Sequence, residues 1–430
     1  MLKINRIKNI LFPKTKFHSD ILWNGLSLVI MGISGIVLNI LILIKYNVEI
    51  LGAFNQVYAI YILISQLAVW GLYSSVLKHT SQHSDNESVC NQILTSSLIL
   101  GVGITSIVTF LYYLIIPIFG YLLESINVEL GLTFALLGLW CFSINKILLS
   151  FINGKRLMKA FSLFNSFRYL MLPLSLIVLI LLNLPGYAVP LIFSLTEFIL
   201  LIILLIFVLH FFSFASISEC KKWFKIHLPF GVKSLLGGSI VEINSRVDIL
   251  MLGFFLSDKV VGIYSFAAML AEGFDQIPSI FRVNYNPLLT KLAIQRRLAD
   301  LSLMIKIFIR KWLPFSLAFS FLIILGFPFV VRMFFSEMDL FKSWIVFAIL
   351  IIGISLRSGY SVFWELPAQS GHPGYQTILI SLVAVSNVVL NYFFILQWGI
   401  YGAAIATSFS FILGIFYLKL VINKILNIKI

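Results

Sequence analysis

Hydrophobic residues in this chain come in long runs with almost no polar face between them. Neither the two-residue alternation of a half-buried strand nor the one-sided stripe of a surface helix is visible. The runs predict twelve helices, over 21–44, 52–77, 90–116, 129–151, 161–182, 187–209, 226–256, 260–289, 307–330, 342–366, 373–395 and 400–422. A helix needs about 20 apolar residues to cross a bilayer core, so each run can span one. Only helices and closed barrels satisfy their backbone in lipid, and these runs are too long and too weakly alternating for barrel strands. Turns separate the spans that would otherwise merge. Asn183-Leu184-Pro185-Gly186 divides 161–182 from 187–209, and Gln397-Trp398-Gly399 divides the last two.

Composition narrows the class to an integral membrane protein. Hydrophobic residues make up 60% of the chain and charged residues 11%, against about 25% charged in soluble domains. The net charge of +14 does not point to nucleic acid, because the basic residues mark alternate loops. Lys3, Arg6, Lys8, Lys14 and Lys16 lie in the N-terminal tail. Lys155, Arg156 and Lys159, then Lys221, Lys222 and Lys225, then Lys291, Arg296 and Arg297, and finally Lys419, Lys424 and Lys429 follow on the same side. The positive-inside rule then places both termini in the cytoplasm, with residues 1–20 as a basic tail suited to anionic headgroups. The loop at Ser370-Gly371-His372-Pro373, on that side, has no Lys or Arg. The first apolar run lacks a small-residue cleavage site and reads as a retained span. Cys90, Cys141 and Cys220 have no metal-ligand spacing and read as apolar packing.

The two halves echo each other. Val48-Glu49-Ile50-Leu51-Gly52-Ala53-Phe54 follows the first span, and Asp258-Lys259-Val260-Val261-Gly262-Ile263-Tyr264 follows the seventh. Gly154 and Gly371, and the turns before 187 and 400, repeat at similar offsets. The expectation is an all-α protein of two six-helix lobes, 21–215 and 216–430, related as parallel repeats around a central cavity.

Ser245-Arg246-Val247-Asp248-Ile249-Leu250-Met251-Leu252-Gly253-Phe254-Phe255-Leu256 continues through Val261-Gly262-Ile263-Tyr264-Ser265, Ala267-Ala268, Ile277-Pro278 and Asn286-Pro287. With Gly52-Ala53-Phe54-Asn55 and Gly399-Ile400-Tyr401-Gly402-Ala403-Ala404-Ile405-Ala406, this pattern resembles the bacterial O-antigen and capsule repeat-unit flippases. These belong to the multidrug/oligosaccharidyl-lipid/polysaccharide exporter superfamily. The resemblance runs the whole length and implies alternating access in the cytoplasmic (inner) membrane. Its implied substrate is an undecaprenyl-diphosphate-linked oligosaccharide moved from inner to outer leaflet, with a polysaccharide polymerase and glycosyltransferases as partners.

Ionisable residues inside the spans are the candidate site, since each costs about 2.5–3.5 kcal/mol to insert. Lys146, Arg168, Lys233, Arg246, Arg282 and Arg357 are the candidate cationic lining. Arginine in particular offers a planar donor fork to phosphate. Glu197, Glu242, Asp248, Glu272 and Asp275 are candidate coupling or helix-linking acids. Glu242 and Arg246 lie four apart, in the order that favours an intrahelical pair; Asp248 reads as a link between helices. Arg168 and Arg357 have no neighbouring acid on their own helix, which favours the cavity. Glu197, in mid-span, reads as a coupling acid or an unexplained one. His79 and His83 read as a solvated loop. There is no Walker loop and no HExxH site, and the HxxxH spacing of His79 and His83 falls in that loop, so no cofactor, metal or catalytic residue is expected. Competing classes are a cation-coupled drug exporter, a peptidoglycan-precursor flippase and a membrane polysaccharide polymerase. The last needs a sizeable external loop, and the longest here, near 331–341, is short.

Overall fold

The computed structural model describes residues 16–334 and 339–428. Most of the basic tail and the apex of the loop near 331–341 therefore lie outside the described residues. Among the described residues the secondary structure is helical, without strands. The helices are α1 (Lys16–Lys45), α2 (Val48–Val69), α3 (Leu72–Gln82), α4 (Glu87–Leu122), α5 (Ile126–Gly154), α6 (Met158–Leu181), α7 (Leu191–Phe211), α8 (Ile217–Phe255), α9 (Asp258–Ile294), α10 (Leu298–Phe334), α11 (Leu340–Ser361), α12 (Leu366–Gln369) and α13 (Pro373–Leu426).

Nine of the described helical segments are long and apolar enough to cross a membrane on length and composition alone. The long helices α8 and α9 miss that threshold because they carry the intramembrane charges. α13 contains two spans, separated where Gly399 adopts φ 56°, ψ −129°. With two spans in α13 and one each in α8 and α9, the described residues hold twelve, the number the apolar runs predict. Large apolar side chains such as Ile107, Phe110, Leu322 and Phe329 point outward, as lipid-facing positions should.

One predicted span is broken. Trp70 and Gly71 both have left-handed φ, 53° and 63°, which ends α2 and restarts the chain as α3. The Thr105 hydroxyl donates to the Ala68 carbonyl at 3.0 Å, satisfying a backbone acceptor beside the break. A Cβ on Gly71 would collide with the Gly231 carbonyl of α8, and one on Gly231 with the Trp70 carbonyl. The contact requires glycine on both sides.

The chain forms two compact units. The first comprises the chain up to Lys45, Ile60–Tyr121 and Ile126–Gly238; the second comprises Tyr46–Ala59, Leu122–Ser125 and the chain from Ser239. In the first unit, Leu72, Ile93, Cys141, Ile147, Phe151 and Leu204 form a buried core. α5 and α7 approach closely at Gly138, whose N–H donates to Ser194 Oγ at 2.9 Å. The Tyr61 hydroxyl donates to the Gly138 carbonyl at 3.0 Å. In the second unit, Leu301, Ile305, Val362, Phe363, Leu379 and Leu418 form the core.

The repeated motif has a structural counterpart within the second unit. A Cβ on Gly52 would meet the Asp258 carbonyl, and a Cβ on Gly262 would meet the Val48 carbonyl. Each glycine thus admits the backbone of the other motif. Gln56 Nε2 and Ser125 Oγ donate to the two oxygens of Asp258, at 2.7 and 2.5 Å, fixing this junction. The three cysteines are free and buried.

Candidate functional site: arginine–carboxylate pairs

In the first unit, α6 presents Arg168 to Glu197 on α7. Arg168 Nε lies 2.6 Å from Glu197 Oε1, and Nη2 lies 3.0 Å from Oε2. Asn145 of α5 donates to Oε2 at 2.8 Å and to the Glu197 carbonyl at 2.9 Å. The Phe142 ring lies 4.9 Å from the guanidinium carbon. Both charged side chains are buried. Glu197 therefore has its countercharge on a neighbouring helix, and so does Arg168. Lys146 donates to Gln66 Oε1 at 3.2 Å and lies 4.2 Å from the Tyr73 ring centroid. Lys233, on α8, is exposed.

In the second unit, the polar residues of α9 line up. At 3.6 residues per turn, Glu272, Asp275, Ser279, Arg282 and Asn286 fall within an arc of about 80°. Neighbouring helices supply opposite charges along this ladder. Arg357 of α11 reaches Asp275 at 2.5 Å, with the Phe411 ring 4.0 Å from its guanidinium carbon. Arg246 of α8 faces Glu272 at 3.8 Å and lies 5.1 Å from the Tyr58 ring. Arg282 faces Glu365, in the turn after α11, at 3.8 Å. Asn286 donates to the other oxygen of Glu365 at 2.7 Å.

The expected Glu242–Arg246 pair does not form; the ion pair Arg246 makes among the described residues is with Glu272. Glu242 is half-buried on α8. Asp248 accepts the Tyr264 hydroxyl and the Ile249 N–H at 2.9 Å, so it ties α8 to α9. Asn244 partners Asn387 of α13 at 3.3 Å.

Sequence reasoning singled out these charges individually but missed their pairing, and it missed Asn145, Gln66, Tyr264 and Asn286 as partners. Partners on another helix leave no spacing signal. His79 is also placed differently from the expected solvated loop. It lies on α3 beside Trp223, ring centroids 5.4 Å apart, near the buried His227, whose Nδ1 lies 2.8 Å from Ser75 Oγ.

Chemically, the ladder offers guanidinium donors, amides and aromatic faces. Among the described residues, no group of three or more His, Cys, Asp or Glu is arranged to hold a metal ion.

No curated protein sequence matches the chain. Its fold matches that of an inward-facing multidrug resistance MATE family transporter of the MOP superfamily. The TM-score is 0.76 at 13% identity, covering 92% of this chain and 95% of that one. The lipid II flippase MurJ in an inward closed conformation matches with a TM-score of 0.75 at 17% identity, covering 93% and 87%. A MATE transporter of Vibrio cholerae matches at 0.61 and 12% identity, covering 96% and 98%. At these identities the likeness shows the fold. Residues 18–279, more than half the chain, match the model of a family described as polysaccharide biosynthesis protein, and the chain belongs to that family.

Proposed function

We propose that the protein is a flippase that carries an undecaprenyl-diphosphate-linked oligosaccharide, an O-antigen or capsule repeat unit, from the inner to the outer leaflet of the bacterial inner membrane. The observation that carries this reading is the ladder on α9, in a chain of the polysaccharide biosynthesis family. Arginines at bilayer depth are costly unless a hydrated path or an anion uses them. A diphosphate headgroup crossing lipid unaided would lose its hydration at far greater cost. Arg246, Arg282 and Arg357 can replace part of that hydration, and Tyr58 and Phe411 lie against two of these guanidiniums. Protein similarity supports a lipid-linked substrate, since MurJ is named a lipid II flippase.

Both termini are cytoplasmic in this reading, which puts the Ile294 end of α9, followed by Arg296 and Arg297, on the inner side. A polymerase outside and glycosyltransferases inside would consume and supply the cargo. Deleting the gene should leave lipid-linked repeat units on the cytoplasmic leaflet of membrane vesicles. Unpolymerised units on the outer leaflet would instead indicate a polymerase. Normal sidedness with lost efflux of a cationic drug would indicate an exporter.

A further inference from the structure

Among the described residues, four arginines on the helices have carboxylate partners on other elements, but the pairs are of two kinds. Arg168–Glu197 is held by contacts of 2.6 and 3.0 Å, with side chains 10% and 5% exposed. Arg357–Asp275 is similarly tight at 2.5 Å. Arg246–Glu272 and Arg282–Glu365 stand at 3.8 Å, and their acids are 53% and 44% exposed. At that separation the hydrogen bond is absent and only charge attraction remains. A half-exposed carboxylate also keeps much of its rotamer freedom. Exchanging Glu272 or Glu365 for another anion is therefore easy, whereas removing Glu197 would strand a buried arginine.

The loose pairs are also well separated. Glu272 and Arg282 lie on one face of α9, ten residues apart, which is about 15 Å at 1.5 Å per residue. Asp275, held by Arg357, lies between them in the chain. Backbone positions so far apart favour two separate sites over a single one. Each loose pair has a support that would outlast exchange. Tyr58 stacks near the Arg246 guanidinium, and Asn286 holds the second oxygen of Glu365 at 2.7 Å.

We infer that Arg246 and Arg282 are two successive stations for one diphosphate headgroup, and that Glu272 and Glu365 are exchangeable carboxylates that occupy each arginine when the headgroup is elsewhere. The inference rests on the lipid-diphosphate substrate proposed above. Arg282, nearer the Ile294 end of α9, receives the headgroup first. Arg246 holds it second. At each station the returning carboxylate expels the phosphate, so the acid weakens binding and speeds release.

The test uses the full chain in nanodiscs, titrated in parallel with undecaprenyl diphosphate, inorganic diphosphate and undecaprenol. Glu272→Gln and Glu365→Gln should each bind undecaprenyl diphosphate about fivefold more tightly, the equivalent of a half-exposed ion pair of about 1 kcal/mol. The same variants should turn over lipid-linked repeat units more slowly in proteoliposomes. Arg246→Gln and Arg282→Gln should each weaken binding. Unchanged or weaker binding by Glu272→Gln and Glu365→Gln, with wild-type protein binding normally, would overturn the exchange and leave the flippase reading intact. Wild-type protein that does not bind undecaprenyl diphosphate would overturn the flippase reading and the stations with it. Binding of inorganic diphosphate with no gain from the lipid would reassign the arginines to a free anion, against the inference.

Discussion

The Arg168–Glu197 pair and the α9 ladder use the same chemistry to different ends. In the first unit, a guanidinium and a carboxylate are buried together, in contact at 2.6 and 3.0 Å and joined by Asn145. Here the charge of Arg168 is balanced inside the protein by a buried carboxylate in close contact. In the second unit, Arg246 and Arg282 stand 3.8 Å from acids that remain half in contact with the surroundings. The difference teaches that a charge at bilayer depth does not by itself mark a substrate site. What distinguishes the two regions is how completely the partner compensates the charge.

This contrast can be broken experimentally, and the largest effect belongs to the buried pair. Glu197→Ala should cost about 3–5 kcal/mol by leaving Arg168 uncompensated, seen as lost membrane expression or a sharp fall in Tm in detergent. The double variant Arg168→Met with Glu197→Leu should recover much of that stability and, on this account, much of the transport. A double variant that is stable but inactive would move Arg168 into the transport machinery.

Next in size is Gly52→Ala. Its Cβ would collide with the Asp258 carbonyl, an overpacking cost of about 1–3 kcal/mol. Gly103→Ala, where space is open, should leave Tm nearly unchanged. Equal Tm for both variants would refute the close contact of the repeated motifs.

Arg246→Ala and Arg357→Ala should both abolish surface polysaccharide while the protein still inserts. Arg357→Ala should also lower Tm, because Asp275 loses its 2.5 Å partner. Arg246→Ala should cost no more than about 1 kcal/mol of stability, as expected of a loosely held pair, and so lower Tm less. The smallest effect is expected from Asp248→Asn, since an amide oxygen can still accept from Tyr264. Its Tm should drop less than that of Asp248→Ala, and a larger drop would mean that the charge itself matters at this position.

Much of the fold was legible because apolar length and turn chemistry are local properties. The turn at Asn183, with φ 53°, and the break at Gly399 stand where Leu184-Pro185-Gly186 and Trp398-Gly399 suggest them. The break at Trp70–Gly71 was not legible, because it depends on a close approach by Gly231, 160 residues away. Gly52 and Gly262 were visible as a repeat, but their reciprocal packing was not. For the candidate site, the charges inside the spans were visible in the sequence, but their partners were not. Arg168 and Arg357 lack acids on their own helices and find them on α7 and α9. Arg246 passes over Glu242, four residues away, for Glu272. Helical spacing reports neighbours on one helix only, and partners across helices are set by tertiary packing.

The most direct test of the central claim is translocation in proteoliposomes. A lipid-linked repeat unit with a labelled sugar is followed by its accessibility to a membrane-impermeant reagent. The account predicts that the wild-type protein exposes the sugar on the opposite leaflet and that Arg246→Gln with Arg282→Gln does not, although that variant reconstitutes equally well. Equal translocation by the wild-type and the double variant would contradict it.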